Sequence, residues 1–227
     1  VGNAICTGDQ FIVHDAATGG LWSLSNGSMS LSGDTITAVY PGTDTLYYTV
    51  TNGCGTAIAM DTFTVSPPVP PLTGDLALCV GDTGIIADAY GGGMWYGGPP
   101  HLYIGAQIGD SARIVAGISA GTVVITYTVD MGCSTTATVT VRPLPGVTGL
   151  VEQVSCYGQG DGSITLTPVG AGPYRYLWSD GAATISVNSL QPGSYSVIIT
   201  DTSTNCSASE TYEIVQPDSM QLKYSTG

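Results

Sequence analysis

The feature that most constrains the fold of this 227-residue chain is one layout of residues that occurs three times. Each copy begins with a cysteine followed closely by Gly and Asp, contains one tryptophan, continues into an alternating strand and closes on a second cysteine. The two cysteines of a copy lie 48, 54 and 50 residues apart. Repetition at this period indicates tandem modules. The positions are Cys6, Trp22 and Cys54; Cys79, Trp95 and Cys133; and Cys156, Trp178 and Cys206.

The strand before each second cysteine alternates between two faces. Leu46, Tyr48 and Val50 share one parity in the first copy. A period of two predicts antiparallel strands with one buried and one solvated face. Short strands bounded by turn residues predict an all-β fold of three tandem antiparallel β-sandwich modules. The matching apolar sets are Ile125, Tyr127 and Val129 in the second copy, and Tyr195, Val197 and Ile199 in the third.

Proline marks the predicted module boundaries, because the proline-rich runs at 67–71 and 143–145 favour short, stiff polyproline II spacers. Modules of about 70 residues bury a small core and commonly need a covalent or metal staple. The predicted domains are a sandwich at 1–66, a linker at 67–72, a sandwich at 73–142, a linker at 143–146, a sandwich at 147–217, and a strand or start of a next repeat at 218–227.

The six cysteines can supply such staples. The simplest pairing gives each module one intradomain disulfide, and closing a loop of about 50 residues contributes roughly 4 kcal/mol. Metal binding is the alternative, but the chain has no C-x-x-C motif and its two histidines, His14 and His101, are far apart in sequence. An even cysteine count favours disulfides and an oxidising compartment. The predicted pairs are Cys6–Cys54, Cys79–Cys133 and Cys156–Cys206.

The charge balance excludes several classes of partner. The chain has 17 Asp and Glu against 4 Lys and Arg, for a net charge of −13. Such a chain repels nucleic-acid phosphates and anionic membrane surfaces. No stretch approaches the ~20 apolar residues of a membrane span. We therefore expect no nucleic-acid partner and no membrane insertion. Val1–Asn3 is not a natural start, so we expect the chain to be part of something longer.

The third copy resembles the SprB repeat, with CYGQGDGS at 156–163, PYRYLWSDG at 173–181 and PGSYSV at 192–197. The first two copies are similar to bacterial Ig-like or polycystic-kidney-disease-like repeats, as in SAGTVVITY at 119–127. SprB repeats occur in tandem in very large surface adhesins of gliding bacteria. The resemblance implies Ig-like sandwiches, export that often uses the type IX secretion system, and a secreted or cell-surface location.

Acidic turns supply the candidate metal ligands. Ca²⁺ needs six to eight oxygens, and Asp161 with Asp180 or Asp201 is the best candidate set. The alternative, which we favour, is that Asp9, Asp82 and Asp161 each cap the turn in which they lie. No D-x-D-x-D-G run is present. We expect no cofactor, with Ca²⁺ as the alternative.

Four Asp-Thr or Asp-Ser pairs precede a small or aliphatic residue. They resemble the acceptor motif of an O-glycosylation system of the same bacterial group. Coincidence in a chain rich in Asp and Thr is the alternative. The candidate acceptors are Thr35, Thr45, Ser111 and Ser219.

The glycine-rich segment 91–103 is the candidate ligand-contact loop, and Trp95, Tyr96 and Tyr103 are its candidate contact residues. A polysaccharide is the expected ligand. The alternative for all three tryptophans is a core position, as in Ig-like sandwiches. Neither histidine lies in a nucleophile motif such as G-x-S-x-G, so we expect no enzyme.

The sequence thus predicts a non-catalytic, extracellular structural or adhesive segment of a secreted bacterial surface protein. Its expected partners are sister chains or other modules of the same protein. One alternative is a repeating subunit of an extracellular filament joined by β-strand addition, because the single lysine, Lys223, leaves the sheet edges without charged guards. The other alternative is a carbohydrate-binding or spacer region of a secreted hydrolase.

Overall fold

The computed structural model describes residues 3–14, 19–108, 111–117, 119–129, 131–170 and 172–222. This part of the chain consists of β-strands, turns and loops, without a helix. It divides into two compact units. Residues 1–141 contain the first two repeats, and residues 142–227 contain the third.

The first repeat forms two sheets. Its strands are β1 (Asn3–Cys6), β2 (Gln10–Ile12), β3 (Leu21–Leu24), β4 (Met29–Ser32), β5 (Thr35–Ala38), β6 (Gly42–Asn52) and β7 (Gly55–Ser66). One sheet has the order β1-β7-β6-β3 and the other β2-β5-β4. The hairpin of β6 and β7 closes at Asn52 and Gly55. β1 lies parallel to β7, so that Cys6 is opposite Ser66.

The second repeat also forms two sheets. Its strands are β8 (Thr73–Gly74), β9 (Ala77–Cys79), β10 (Thr83–Ala87), β11 (Met94–Tyr96), β12 (Leu102–Ile108), β13 (Ser111–Ala116), β14 (Gly121–Thr128) and β15 (Ser134–Arg142). The sheet orders are β12-β13-β10-β8 and β11-β14-β15-β9. As in the first repeat, a short strand ending at the first cysteine lies beside the last strand.

The second unit contains two three-stranded sheets. Its strands are β16 (Gly146–Glu152), β17 (Gly162–Val169), β18 (Tyr174–Trp178), β19 (Ser186–Leu190), β20 (Gly193–Asp201) and β21 (Ser207–Ile214). The sheet orders are β16-β17-β19 and β18-β20-β21. β20 and β21 form the closing hairpin that corresponds to β6 and β7 in the first repeat.

The faces predicted for the closing hairpins are confirmed. Strand neighbours of the buried residues point outward, and Val124 and Ile198 are exposed. Alternation between core and solvent is therefore what fixes the register of these strands. The inward-facing residues that are buried are Leu46, Ile125, Tyr127, Val197 and Ile199.

Buried apolar side chains form a separate cluster in each repeat. Leu72 is buried in the second cluster and Val69 packs against it, although both come from the segment predicted as a linker. The all-β prediction of antiparallel sandwich modules is confirmed, with the parallel β1–β7 pair as an addition. The largest members of the clusters are Met29, Ile36 and Phe63; Ile86, Leu102 and Tyr127; and Ile164, Trp178 and Ile199.

Candidate functional site

The disulfides do not follow the predicted pairing. Cys6 is bonded to Cys133, 127 residues away in sequence, with their Cα atoms 5.6 Å apart. Cys54 and Cys156 are free and exposed. The predicted pairs Cys6–Cys54, Cys79–Cys133 and Cys156–Cys206 are therefore wrong. Cys79 and Cys206 are each disulfide-bonded.

Strand geometry gives the physical reason in the first repeat. Cys6 lies opposite Ser66, at the end of β7. Cys54 lies in the turn before β7 begins, twelve residues before Ser66. At about 3.3 Å per residue, the two cysteines stand roughly 40 Å apart along the hairpin. A disulfide requires a Cα separation below about 7 Å, so these two cannot bond.

The third repeat separates its cysteines in the same way. The Val154 backbone N–H donates to the Val215 carbonyl at 3.2 Å, which places the chain just before Cys156 beside the end of β21. Cys206 immediately precedes the start of that strand. In both repeats, the first cysteine is at the end of the last strand and the second is at its beginning.

Aspartates hold the turns that present the first cysteines. The Asp9 carboxylate accepts a hydrogen bond from the Cys6 backbone N–H at 2.9 Å, and the Asp9 N–H donates to the Cys6 carbonyl at 2.9 Å. In the same way, the Asp82 carboxylate accepts a hydrogen bond from the Cys79 N–H at 3.2 Å, and the Asp82 N–H donates to the Cys79 carbonyl at 3.0 Å. These carboxylates cap their own turns, which is the interpretation that the sequence favoured.

Asp161 holds the corresponding turn of the third repeat through Ser155. Its carboxylate accepts from the Ser155 hydroxyl at 2.5 Å and from the Ser155 backbone N–H at 3.0 Å. These two hydrogen bonds, the hydroxyl first, hold the pKa of Asp161 below its ordinary value. The hydrogen bonds therefore favour the charged carboxylate.

The candidate calcium ligands do not come together. The Asp180 carboxylate accepts from the Ala182 N–H at 2.9 Å, and Asp201 accepts from Ser203. The Asp201 N–H donates to the Cys206 carbonyl at 2.9 Å, just before β21 begins, whereas Asp161 holds the turn beside the end of β21, so β21 separates Asp201 from Asp161. Within the described ranges, no group of three His, Cys, Asp or Glu side chains could hold a metal ion.

The three candidate ligand-contact residues do come together. Trp95, Tyr96 and Tyr103 line one open groove of about 650 Å³. Tyr96 is 54% exposed and Tyr103 is 64% exposed. Trp95 is half-buried and packs against Tyr127 with ring centroids 5.0 Å apart, so it belongs to the core edge as well as to the groove. Its indole nitrogen is buried and has no hydrogen-bond partner among the residues that the structure describes.

The other two tryptophans pack in or against the hydrophobic cores of their repeats. The ring centroids of Trp22 and Tyr48 are 4.5 Å apart, and those of Trp178 and Tyr212 are 6.3 Å apart. Trp178 is buried, and its indole N–H donates to the Thr184 carbonyl at 2.9 Å. A tyrosine, rather than the disulfide of an Ig-like sandwich, is thus the neighbour of each tryptophan.

The candidate glycosylation positions differ in accessibility. Thr35 and Thr45 are half-buried on strands, and the Thr45 hydroxyl lies 3.4 Å from that of Thr62. Ser219 is exposed beyond the last strand. The side chain of Ser111 lies outside the described part of the chain. Glycosylation at these positions stays a prediction.

Asp44 is the structurally important residue that sequence reasoning passed over. Its side chain is 0% exposed and it accepts hydrogen bonds from the backbone N–H groups of Ser25, Asn26, Met29 and Thr45 at 2.9–3.0 Å. The Ser25 hydroxyl also donates to it at 2.8 Å. Burial acts to raise the pKa of Asp44, but these hydrogen bonds outweigh burial and lower it.

The chain is therefore an array of antiparallel β-sandwich modules, each with its own buried core. Within it, residues 148–183 match the SprB repeat, as the residues of the third copy predicted. No curated protein matches the sequence. No helix in the described residues is long and apolar enough to cross a membrane.

Several solved structures match most of this chain, and the chain spans between 40% and 64% of the length of the three described here. The eight N-terminal Ig domains of Down syndrome cell adhesion molecule share 12% identity with a TM-score of 0.37, over 94% of this chain and 40% of that one. Invasin, a bacterial integrin-binding protein, shares 15% identity with this chain and has a TM-score of 0.43. The match covers 86% of this chain and 51% of invasin. SGBP-B of the Bacteroides ovatus mixed-linkage glucan utilization locus shares 13% identity and has a TM-score of 0.24. The match covers 92% of this chain and 64% of that one. Similarity at this level transfers no function to this chain.

Proposed function

We propose that this chain is a non-catalytic structural and adhesive segment of a secreted or cell-surface protein. The observation that carries the proposal is the Cys6–Cys133 disulfide, which joins the first repeat to the second. A covalent bond between repeats resists separation of the modules under load, which suits a structural role. The SprB repeat at 148–183 supports a surface location, and disulfides require an oxidising compartment.

Pulling single chains from both ends tests this role. The disulfide shortens the path along which force travels, because it bypasses the chain from Cys6 to Cys133, a sequence separation of 127 residues. Reduction should therefore lengthen the extended chain by at least roughly 440 Å, at about 3.5 Å per residue. Alkylating Cys54 and Cys156 beforehand prevents thiol exchange and should leave the result unchanged. Equal lengths before and after reduction would contradict a load-bearing role for the disulfides.

The aromatic groove favours carbohydrate binding as a second function. Two exposed tyrosines beside a fixed tryptophan offer flat apolar faces to a sugar ring, and the net charge of −13 favours a neutral polysaccharide over an acidic one. This binding would suit an adhesive segment and equally a spacer region of a secreted hydrolase.

Removing either groove tyrosine should weaken such binding. Tyr96→Ala and Tyr103→Ala should each lower affinity roughly two- to tenfold, because an aromatic contact contributes about 0.5–1.5 kcal/mol. Affinity electrophoresis through gels containing neutral polysaccharides measures the loss. Tyr40→Ala is the matched control, since Tyr40 is 66% exposed and lies in the first repeat. Equal mobility shifts for all three variants would exclude the groove as the binding site.

A further inference from the structure

Each module carries two cysteine positions with different places in its fold. The first-cysteine position, at Cys6, lies at the end of the last strand, opposite Ser66. The second-cysteine position, at Cys133, lies between β14 and β15, at the beginning of the last strand. The two positions of a module are therefore at opposite ends of its closing hairpin and can serve two different neighbours.

The first unit shows how the two positions are used. The first cysteine of one repeat, Cys6, bonds the second cysteine of the following repeat, Cys133. The turn around Cys133 lies against the end of β7, where the Ser66 hydroxyl donates to the Met131 sulfur at 3.4 Å. Ser66, Pro67, Tyr90 and Met131 line a pocket of about 240 Å³ at this junction. The bond is thus part of a junction between consecutive modules.

Cys54 occupies the second-cysteine position of the first repeat. It lies in the turn of the β6–β7 hairpin, whose closing pair is Asn52 and Gly55, as Cys133 lies in the turn closed by Thr128 and Ser134. The Asn52 side chain accepts a hydrogen bond from the Cys54 N–H at 2.9 Å and fixes this turn. The thiol of Cys54 is free and exposed.

Cys156 occupies the first-cysteine position of the third repeat. The Gln159 N–H donates to the Cys156 carbonyl at 3.1 Å, as the Asp9 N–H does to Cys6. The Gly158 N–H donates to the side chain of Gln216 at 2.9 Å, which ties the turn to the chain beyond β21. Cys156 is also free and exposed. The chain thus presents one unused cysteine of each kind, on its first and its last repeat.

We propose that Cys156 of one chain and Cys54 of a second copy form the same link as Cys6 and Cys133, so that chains join head to tail by disulfides. The two thiols lose two protons and two electrons to a disulfide oxidant, which is reduced to two thiols as the new S–S bond forms. Because residues 1–227 offer one free cysteine of each kind, successive copies of these residues can be linked into a covalent filament. This inference goes beyond the proposed structural role, which a single chain could perform.

Oxidation of the purified chain tests the proposal. In a glutathione disulfide buffer, the wild-type chain should form a ladder of oligomers on non-reducing gels, and digestion should yield peptides joined through Cys54 and Cys156. Cys54→Ser and Cys156→Ser should each remain monomeric, because each lacks one of the two cysteines that the link requires. The force measurement can succeed while this experiment fails, so the two proposals are separable.

Mixing the two single variants separates a specific link from random oxidation. Cys54→Ser retains only Cys156, and Cys156→Ser retains only Cys54 as its free thiol. An equimolar mixture should give heterodimers almost exclusively. A statistical mixture, with heterodimers as half of all dimers, would overturn the proposal. The proposal would also be overturned if the oxidised wild-type chain stayed monomeric, either unlinked or with Cys54 bonded to Cys156 of the same chain.

Discussion

Replacing Cys6 and Cys133 together by serine should lower the free energy of unfolding of the first unit by up to about 5 kcal/mol. The disulfide closes a loop of 127 residues, and chain-entropy arguments assign about that value to such a loop. Small domains have total stabilities of about 5–15 kcal/mol. The loss is therefore large enough to unfold at least one of the two repeats that the bond connects.

Urea denaturation followed by tryptophan fluorescence measures this loss, since Trp22 and Trp95 report on the two connected repeats. The double variant Cys54→Ser/Cys156→Ser is the matched control. It also removes two sulfur atoms, but from free, exposed residues, so its stability should change by less than about 1 kcal/mol. A shared denaturation midpoint for the two double variants would show that the Cys6–Cys133 bond does not stabilise the unit.

Asp44→Ala should lower the stability of the first repeat by about 3 kcal/mol or more. The substitution leaves the buried N–H of Met29 without its acceptor, which costs about 1–3 kcal/mol. It also removes the charged acceptor of the Asn26 N–H and of the Ser25 hydroxyl, and hydrogen bonds to charged groups contribute about 1.5–3 kcal/mol each. The matched control is Asp34→Ala, because Asp34 is exposed on the same repeat. Thermal or urea unfolding should show an effect below about 0.5 kcal/mol for the control.

The effect of Asp44→Ala should depend on pH. Because hydrogen bonds hold the pKa of Asp44 below that of the unfolded chain, its contribution is fully present above the unfolded value of about 3.9. The contribution is lost as pH falls through the folded pKa. The stability difference between wild type and Asp44→Ala should therefore be constant from pH 5 to 7 and shrink below about pH 4. A difference that grows on acidification would contradict the charged, hydrogen-bonded carboxylate.

Periodicity made the modules predictable from sequence. The alternation around Leu46, Tyr127 and Val197 indicated which side chains enter the cores, because a strand with one buried face can adopt only one register. The aromatic groove was predictable for a similar reason, since a glycine-rich segment with Trp95 and Tyr96 brings rings to one short strand. These features are local, and local patterns are what a single sequence expresses.

The pairing of the cysteines was not predictable, because it depends on which strands are neighbours in the sheets. The first and second cysteines open and close each repeat, which suggests that they pair, yet a closing strand such as β7 separates them by nearly its full length. Nothing in the spacing reveals that β1 runs parallel to β7. Asp44 did carry a signal, since it shares the inward parity of Leu46 and Tyr48, where a carboxylate must find hydrogen-bond donors.

Disulfide mapping of the native chain tests the central claim most directly. Free thiols are alkylated first, and the protein is then digested and analysed by mass spectrometry without reduction. For the monomer, before any oxidation into oligomers, the account predicts a peptide pair joined through Cys6 and Cys133, with alkyl groups on Cys54 and Cys156. Peptide pairs joined through Cys6 and Cys54 and through Cys79 and Cys133, with no alkylated cysteine, would contradict it.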